Sequence, residues 1–209
     1  MNILHSTEIA EALAPYGFCP DAKQCEAIGR YISILLRWNK RLSLTSITEP
    51  AEILRFHFGE SVFAVNKVPI RHGRLADVGS GAGFPGLAIK IAVPELHLTL
   101  IESNSKKATF LAEVVRDLAL PGVTILRQRM DEAGAGEVPF DLVAARALGN
   151  YPSLLKWAGR RLAPSGRVIL WLGEDEIESL IKMKVWNWRE PVLIPGSRRR
   201  FLLVGSSTT

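Results

Sequence analysis

Apolar positions along the chain follow two different spacings. Over residues 1 to about 60 they recur at helical intervals. In DAKQCEAIGRYISILLRWNKRL, Ile28, Ile32, Leu35 and Leu36 share one face, and Asp21 stands where a helix cap is expected. PAEILRFHFGESVFAV predicts a second helix. From Arg74 the spacing changes to short apolar runs between helical segments. GRLADVG reads as a strand ending in a glycine turn, and LAIKIAV as a helix closed by Pro94. LHLTLIES is a second strand. SKKATFLAEVVRDLAL is an amphipathic helix ended by Pro121-Gly122. VTILRQ and FDLVAARA are strands three and four, and YPSLLKWAGRRLAP is a helix stopped by Pro164. GRVILWLG is strand five and EDEIESLIKM the next helix.

Strands alternating with helices imply an α/β fold with a parallel, doubly wound sheet. The tail breaks the rule. VWNWREPVLIPGSRRRFLLVGSS holds two strand-like pieces joined at Pro195-Gly196 with no helix between them, so an antiparallel hairpin should close the sheet. The expected architecture is a mostly parallel seven-stranded sheet with an antiparallel C-terminal hairpin and an N-terminal helical extension. The boundaries are a helical cap over residues 1–70 and a cofactor-binding domain over 71–209. Rossmann-like methyltransferases resemble this layout more than dinucleotide dehydrogenases do.

Composition narrows the class. At 209 residues, 47% hydrophobic, the chain can bury a full core. Lys plus Arg number 26 against 21 Asp plus Glu, a net charge of +5, which permits an anionic partner without requiring one. Cys19 and Cys25 form neither a metal spacing nor a disulfide framework, so no metal site is expected. The N-terminus lacks the pattern of a signal peptide and no apolar run is long enough to span a membrane, so the expected location is cytoplasmic, without membrane contact.

The chemistry centres on LADVGSGAGFPG. Gly81, Gly83 and Gly86 spell the G-x-G-x-x-G of dinucleotide sites, whereas Asp77, Gly79, Gly81 and Gly83 spell a D-x-G-x-G-x-G loop of the kind that holds S-adenosylmethionine. Glycines after a strand let the backbone take positive φ and approach a ligand. Glu102, at the end of strand two, is placed to accept hydrogen bonds from ribose hydroxyls, which both cofactors carry. The choice comes from the rest of the chain. A hydride transfer also needs a proton handled, yet no histidine follows His97, and Tyr151 and Lys156 are five apart on a helix and do not share a face. Methyl transfer needs none of these groups, so S-adenosyl-L-methionine is the expected cofactor. An NAD-binding regulatory module is the competing class.

The acceptor narrows by elimination. Pyrimidine carbon-5 methylation needs a cysteine nucleophile, and both cysteines lie upstream of the cofactor domain. Exocyclic amine methylation usually carries an Asn/Asp-Pro-Pro-aromatic turn after strand four, where this chain reads AARALGNYP. A ring nitrogen with a free lone pair remains, alongside other RNA bases or a protein as alternatives.

LADVGSGAGFPGLAI, LIESNSKKATFLAEV, FDLVAARAL and RWNKRLSLTSITEPAEILRFHFGES together resemble the RsmG (GidB) family, from about Ile32 to Gly173. The Phe-Pro-Gly after the glycines and the W-N-x-x-x-x-L-T block carry most of the likeness. The resemblance implies methylation of guanine N7 in small-subunit (16S) ribosomal RNA, within the 530 loop that is the family's target, by a monomer acting on RNA or on a ribonucleoprotein particle. It implies cofactor contacts at Gly79, Phe84, Met130, Asp131 and Arg146, joined by Asp77, Gly81 and Glu102 from the loop and its acid. No catalytic residue is assigned. Where the family often has Lys-Gly after strand five, this chain has Leu172-Gly173. RNA contact is expected at Arg198, Arg199 and Arg200, with Arg37, Lys40, Arg41, Lys106, Lys107, Arg160 and Arg161 as further basic candidates.

Overall fold

The N-terminal helices form where the apolar spacing places them. In this computed structural model, which describes residues 4–68, 70–133 and 138–208, α1 (Ser6–Leu13) and α2 (Ala22–Asn39) come first. Asp21 caps α2: its Oδ1 accepts from the Gln24 amide at 2.8 Å, and the Gln24 side chain accepts from the Asp21 amide at 2.9 Å. The second helical stretch is not continuous. It runs as α3 (Pro50–Ile53), a π-helical turn (Leu54–Gly59) and α4 (Glu60–Lys67). The wide turn carries Phe56, His57 and Phe58, and π turns of this kind concentrate at functional sites.

The sheet contains β1 (Gly73–Val78), β2 (Leu96–Ile101), β3 (Val123–Leu126), β4 (Phe140–Arg146), β5 (Leu162–Gly173), β6 (Trp186–Trp188), β7 (Val192–Leu193) and β8 (Arg200–Ser207). The spatial order is β3-β2-β1-β4-β5-β8-β6, with β7 also on β8. The first five strands pair in parallel, and β8 runs antiparallel to β5 and to both β6 and β7. The expected hairpin is present. Its outer strand is in two pieces, interrupted around Pro191, which has no amide to give to a ladder. Between strands lie α5 (Gly86–Ala92), α6 (Ser105–Asp117), α7 (Tyr151–Ala158) and α8 (Glu174–Ile181). α7 stops at Ala158, earlier than Pro164 suggested, because the chain turns at Gly159 and joins β4 through the Phe140 amide and the Arg161 carbonyl.

Strand parity decides which side chain meets which layer. Leu75, Leu98, Leu100, Leu142, Ala144, Ile169, Trp171, Leu202 and Val204 face α1–α6 and share one core with Ile28, Tyr31, Ile32, Leu35 and Phe58. Ala76, Val78, Val143, Ala145, Val168, Leu170 and Leu203 face α7 and α8. The helices before residue 70 therefore complete the sheet's first core rather than packing as a separate body. Tyr31 shows how: its hydroxyl donates to the Ala82 carbonyl at 2.5 Å, tying α2 to the glycine loop. Gly83, at φ 86°, lies directly under that hydroxyl, which a Cβ would strike.

Gly83→Ala should therefore lose at least about 2 kcal/mol of stability, because it strains a left-handed backbone and displaces Tyr31. Gly149→Ala, where a Cβ meets nothing within 4 Å, should change stability by less than about 0.5 kcal/mol. Urea unfolding of the two variants checks this; equal losses would refute the role of the Tyr31 contact.

Candidate active site

Parallel strands end on one side of the sheet, and the turns beyond those ends form a crevice. β1 delivers the glycine loop there. Gly79, Gly81 and Gly83 take φ of 72°, 55° and 86°, all in the left-handed region. The amides of Gly79 and Ser80 donate to the Ile101 carbonyl, which folds the loop toward the end of β2. There Glu102 is 7% exposed. Its Oε2 accepts from the Gly81 amide and its Oε1 from the Asn104 amide, both at 2.8 Å. The carboxylate is thus aimed by the loop backbone, with lone pairs left to accept from a diol.

Asp77 does not face the crevice. By parity it lies on the side of Leu75, fully buried beneath α5, and its Oδ2 accepts from the Gly86 amide at 3.0 Å. Gly86 is required there because a Cβ would collide with the carboxylate. The other oxygen, Oδ1, is buried with no partner. Burial pushes the Asp77 pKa up to about 7, against the lowering effect of the Gly86 and Ser80 hydrogen bonds, and Glu102 adds to the rise. Asp77 shapes the loop from behind.

Phe84 leaves the loop toward the helical cap. Its ring stacks on Tyr31 at 5.2 Å and on His57 at 4.8 Å, and Phe58 meets it edge-on at 5.1 Å. At 8% exposure the ring is mostly a core group that presses the cap onto the loop. The W-N-x-x-x-x-L-T block serves the same contact. Asn39 accepts from the amides of Leu44 and Thr45 and donates to the Thr45 carbonyl, closing the turn. Thr45 Oγ1 then meets His57 Nε2 at 2.8 Å and holds the imidazole against Phe84. Burial, with Arg146 and Arg200 nearby, brings the His57 pKa down to about 4.

Met130 and Asp131 lie in a single 3-10 turn (Met130–Glu132) after β3, anchored where the Trp157 indole donates to the Ala133 carbonyl at 3.2 Å. Met130 packs on the second core, while Asp131 is exposed and paired with Arg129 at 3.1 Å. Arg146 ends β4 on the cap side. Its Nη2 meets Glu60 Oε2 at 2.9 Å, and Nη1 is buried without a partner.

The three tail arginines do not behave alike. Arg198 is exposed with no ion pair among the described residues. Arg199 lies 3.7 Å from Glu174 and 3.8 Å from Asp175. Arg200 is committed to Glu60 Oε1 at 2.8 Å and to the Phe56 ring. Leu172, in the place where a lysine was expected, is buried in the second core, and Gly173 opens α8. A groove of about 720 Å³ between the end of α2 and α6 gathers Arg37, Trp38, Lys40, Arg41, Lys106 and Glu113, with Arg37 paired to Glu113. Sequence reading missed Glu60, His57 and Tyr31. Only their setting in an apolar helical stretch could have marked them.

The model of the family described as rRNA small subunit methyltransferase G, GidB, matches residues 24–189. The chain belongs to the GidB family. It is 37% identical to Ribosomal RNA small subunit methyltransferase G of Roseiflexus castenholzii, over 94% of this chain and 89% of that protein. It is 38% identical to the protein of the same name from Sorangium cellulosum, over 82% and 73%. Among solved structures, a ribosomal protein L11 methylase from Lactobacillus delbrueckii subsp. bulgaricus superposes with a TM-score of 0.60 at 16% identity, covering 74% of this chain and 80% of that one. That likeness concerns the fold. In this GidB-family chain, the glycine loop, Glu102, the turn after β3 and Arg146 all lie at the carboxyl ends of the parallel strands.

Two outcomes follow from this geometry. The Asp77 pKa is raised on folding, so its contribution to stability is present at low pH and lost as pH rises through about 7. Between pH 5 and pH 8 the wild type should lose about 2–3 kcal/mol that Asp77→Asn does not lose. Urea unfolding across that range checks it, and parallel curves would reject a neutral Asp77. Glu102→Ala should weaken S-adenosylhomocysteine binding by about 1–3 kcal/mol, the worth of charged hydrogen bonds. Calorimetry measures this, and unchanged affinity would rule out the ribose contact.

Proposed function

We propose that this chain transfers the methyl group of S-adenosylmethionine to N7 of a guanine in bacterial 16S ribosomal RNA. The observation that carries the reading is the family match over residues 24–189, supported by the glycine loop after β1 and the Glu102 carboxylate held beside it. The proposal assigns Gly79, Gly81 and Glu102 to the nucleoside, Met130 and Asp131 to the adenine, and Arg146 to the amino-acid end. Asp77 and Phe84 support the loop from beneath. It divides the chain into a helical cap, residues 1–70, and a methyltransferase domain, 71–209, joined by one core. Rival readings, a different RNA base, a protein acceptor or an NAD-binding regulator, have no comparable support.

The cofactor, when bound, supplies an electrophilic methyl group on a sulfonium. The protein's task is to position the acceptor and exclude water. Guanine N7 has a lone pair at neutral pH and no proton to lose, so the reading needs no catalytic base. His57 and Asp77 are consistent with this. The imidazole is held against Phe84 and stays neutral, and the carboxyl is sealed behind the loop. For RNA, the proposal uses phosphate contacts from Arg198, from Arg199 and from the groove with Lys40, Arg41 and Lys106. The protein acts as a monomer in the cytoplasm, on RNA or on a partly assembled particle. No described helix is long and apolar enough to cross a membrane.

The test is transfer of labelled methyl to purified 16S RNA, with mass analysis of the digested product. The expected product is 7-methylguanosine. The single-turnover rate at saturation should be flat from about pH 7.5 to 9, a window where a tuned base would titrate. The Tyr151 value of about 12 lies above this window, and Asp77, raised to about 7, has begun to ionise before it. Label on another base, or a rate that climbs with pH and flattens when one side chain is replaced, would overturn the proposal.

A further inference from the structure

The most buried carboxylate outside the glycine loop is Glu60, in α4, whose side chain is 2% exposed. It joins three parts of the chain. Oε2 accepts from Arg146 at the end of β4, at 2.9 Å, and Oε1 from Arg200 at the start of β8, at 2.8 Å. Its backbone carbonyl accepts from the Trp171 indole of β5 at 2.7 Å. Strand register explains the meeting. Arg146 pairs with Trp171, and Gly173 with Arg200, so the three side chains project from neighbouring strands on the cap side of the sheet.

Two guanidinium groups on one carboxylate leave one positive charge unneutralised. Arg146 Nη1 is buried without a partner, so that excess has a donor attached to it. A buried donor without an acceptor is costly. The Arg146 side chain keeps 16% of its surface exposed, and a carboxylate or phosphate oxygen arriving there would draw on the same excess charge. Arg200 is itself held by stacking over Phe56 at 4.9 Å. With one oxygen on each arginine and its carbonyl on Trp171, the Glu60 carboxylate is fixed against rotation, and so is the Arg146 fork.

We propose that Glu60 and Arg200 are positioning residues that hold Arg146 toward the carboxylate of the cofactor's amino-acid portion, and that Arg200 serves this network instead of RNA. The inference rests on the cofactor reading given above. It separates Arg200 from Arg198 and Arg199, which carry no such buried partner.

The test compares two ligands by calorimetry: S-adenosylhomocysteine, which has the amino-acid carboxylate, and 5′-methylthioadenosine, which lacks it. The variants are Arg146→Gln, Glu60→Gln, Arg200→Gln and Arg200→Lys, each checked by its melting temperature. Glu60→Gln and Arg200→Gln should weaken S-adenosylhomocysteine tenfold or more and 5′-methylthioadenosine less than twofold. Arg200→Lys, which keeps the charge, should recover most of the loss. The salt dependence of RNA affinity should be unchanged in Arg200→Gln and reduced in the Arg198→Gln/Arg199→Gln double variant. If Arg146→Gln discriminates between the ligands and the Glu60 and Arg200 variants do not, the positioning role is wrong while the cofactor reading stands. If Arg146→Gln leaves both ligands unaffected, the assignment of Arg146 fails and the proposal fails with it. Equal loss of both ligands in Glu60→Gln and Arg200→Gln would mean a merely structural network, and a reduced salt slope in Arg200→Gln would mean RNA contact; either overturns the proposal.

Discussion

A single hydroxyl ties the helical cap to the cofactor loop. Tyr31 donates to the Ala82 carbonyl, and its ring lies parallel to Phe84, two residues further along the same loop. A loop with three glycines at positive φ has little intrinsic stiffness, because glycine loses more conformational freedom on ordering than any other residue. The stiffness comes from outside. Tyr31 holds one carbonyl, Glu102 accepts from one amide, Asp77 fixes the helix start at Gly86, and the ring stack pins Phe84. Three of these restraints come from parts of the chain remote from the loop. The N-terminal helices therefore help to order the glycine loop, although no residue before 70 was expected to belong to the cofactor site.

The same layer sets the electrostatics. Four titratable groups, His57, Glu60, Asp77 and Arg146, lie in or beside the core on the cap side. They are handled in two ways. Asp77 and His57 are driven toward their neutral forms by burial. Glu60 is also pushed up by burial, but Arg146 and Arg200 oppose the shift, and both lie within hydrogen-bonding distance of the carboxylate. With two such partners the ion pairs describe the group better than a neutral carboxyl does. Glu60 thus keeps its charge because it is paired, and one buried nitrogen of Arg146 is left without a partner. A reaction that moves a positive charge from sulfur to a base tolerates neutral surroundings.

Much of this architecture was legible in the apolar spacing. The change from helical to strand grammar at Arg74, the glycine turn after β1 and the helix-free tail were enough to give the order of elements and the antiparallel closure. Strand parity went further than it was used. Leu75 and Asp77 share the face on which α5 packs, so the aspartate meets that helix and its Oδ2 accepts from the Gly86 amide. The W-N-x-x-x-x-L-T block was recognised as specific without a reason. The reason, a turn closed by Asn39 that hands Thr45 to His57, depends on a contact twelve residues apart in sequence. Glu60 was harder. An acid in an apolar helix reads as a solvated charge until its partners are known, and these come from β4 and β8, 86 and 140 residues away. The run Arg198–Arg200 looked uniform for the same reason. Only entry into β8 brings the third arginine to the buried Glu60 carboxylate.

The placement of basic residues suggests why the cap and the tail flank one crevice. α2 ends in the groove with Lys40, Arg41 and Lys106, and it also carries Tyr31. The tail leaves Arg198 and Arg199 exposed and pairs Arg200, whose side chain is 40% exposed, with the buried Glu60. On the proposed reading, each flank joins a surface cation to a group that orders the cofactor site. Electrostatic attraction to phosphates is long-ranged and indifferent to sequence, so it cannot by itself choose a base. On the proposed reading, coupling it to elements that stiffen the loop and aim Arg146 makes RNA contact and the methyl-transfer geometry depend on the same packing. A substitution that loosens α2 or β8 would then disturb both together, whereas removing an exposed lysine disturbs only the first.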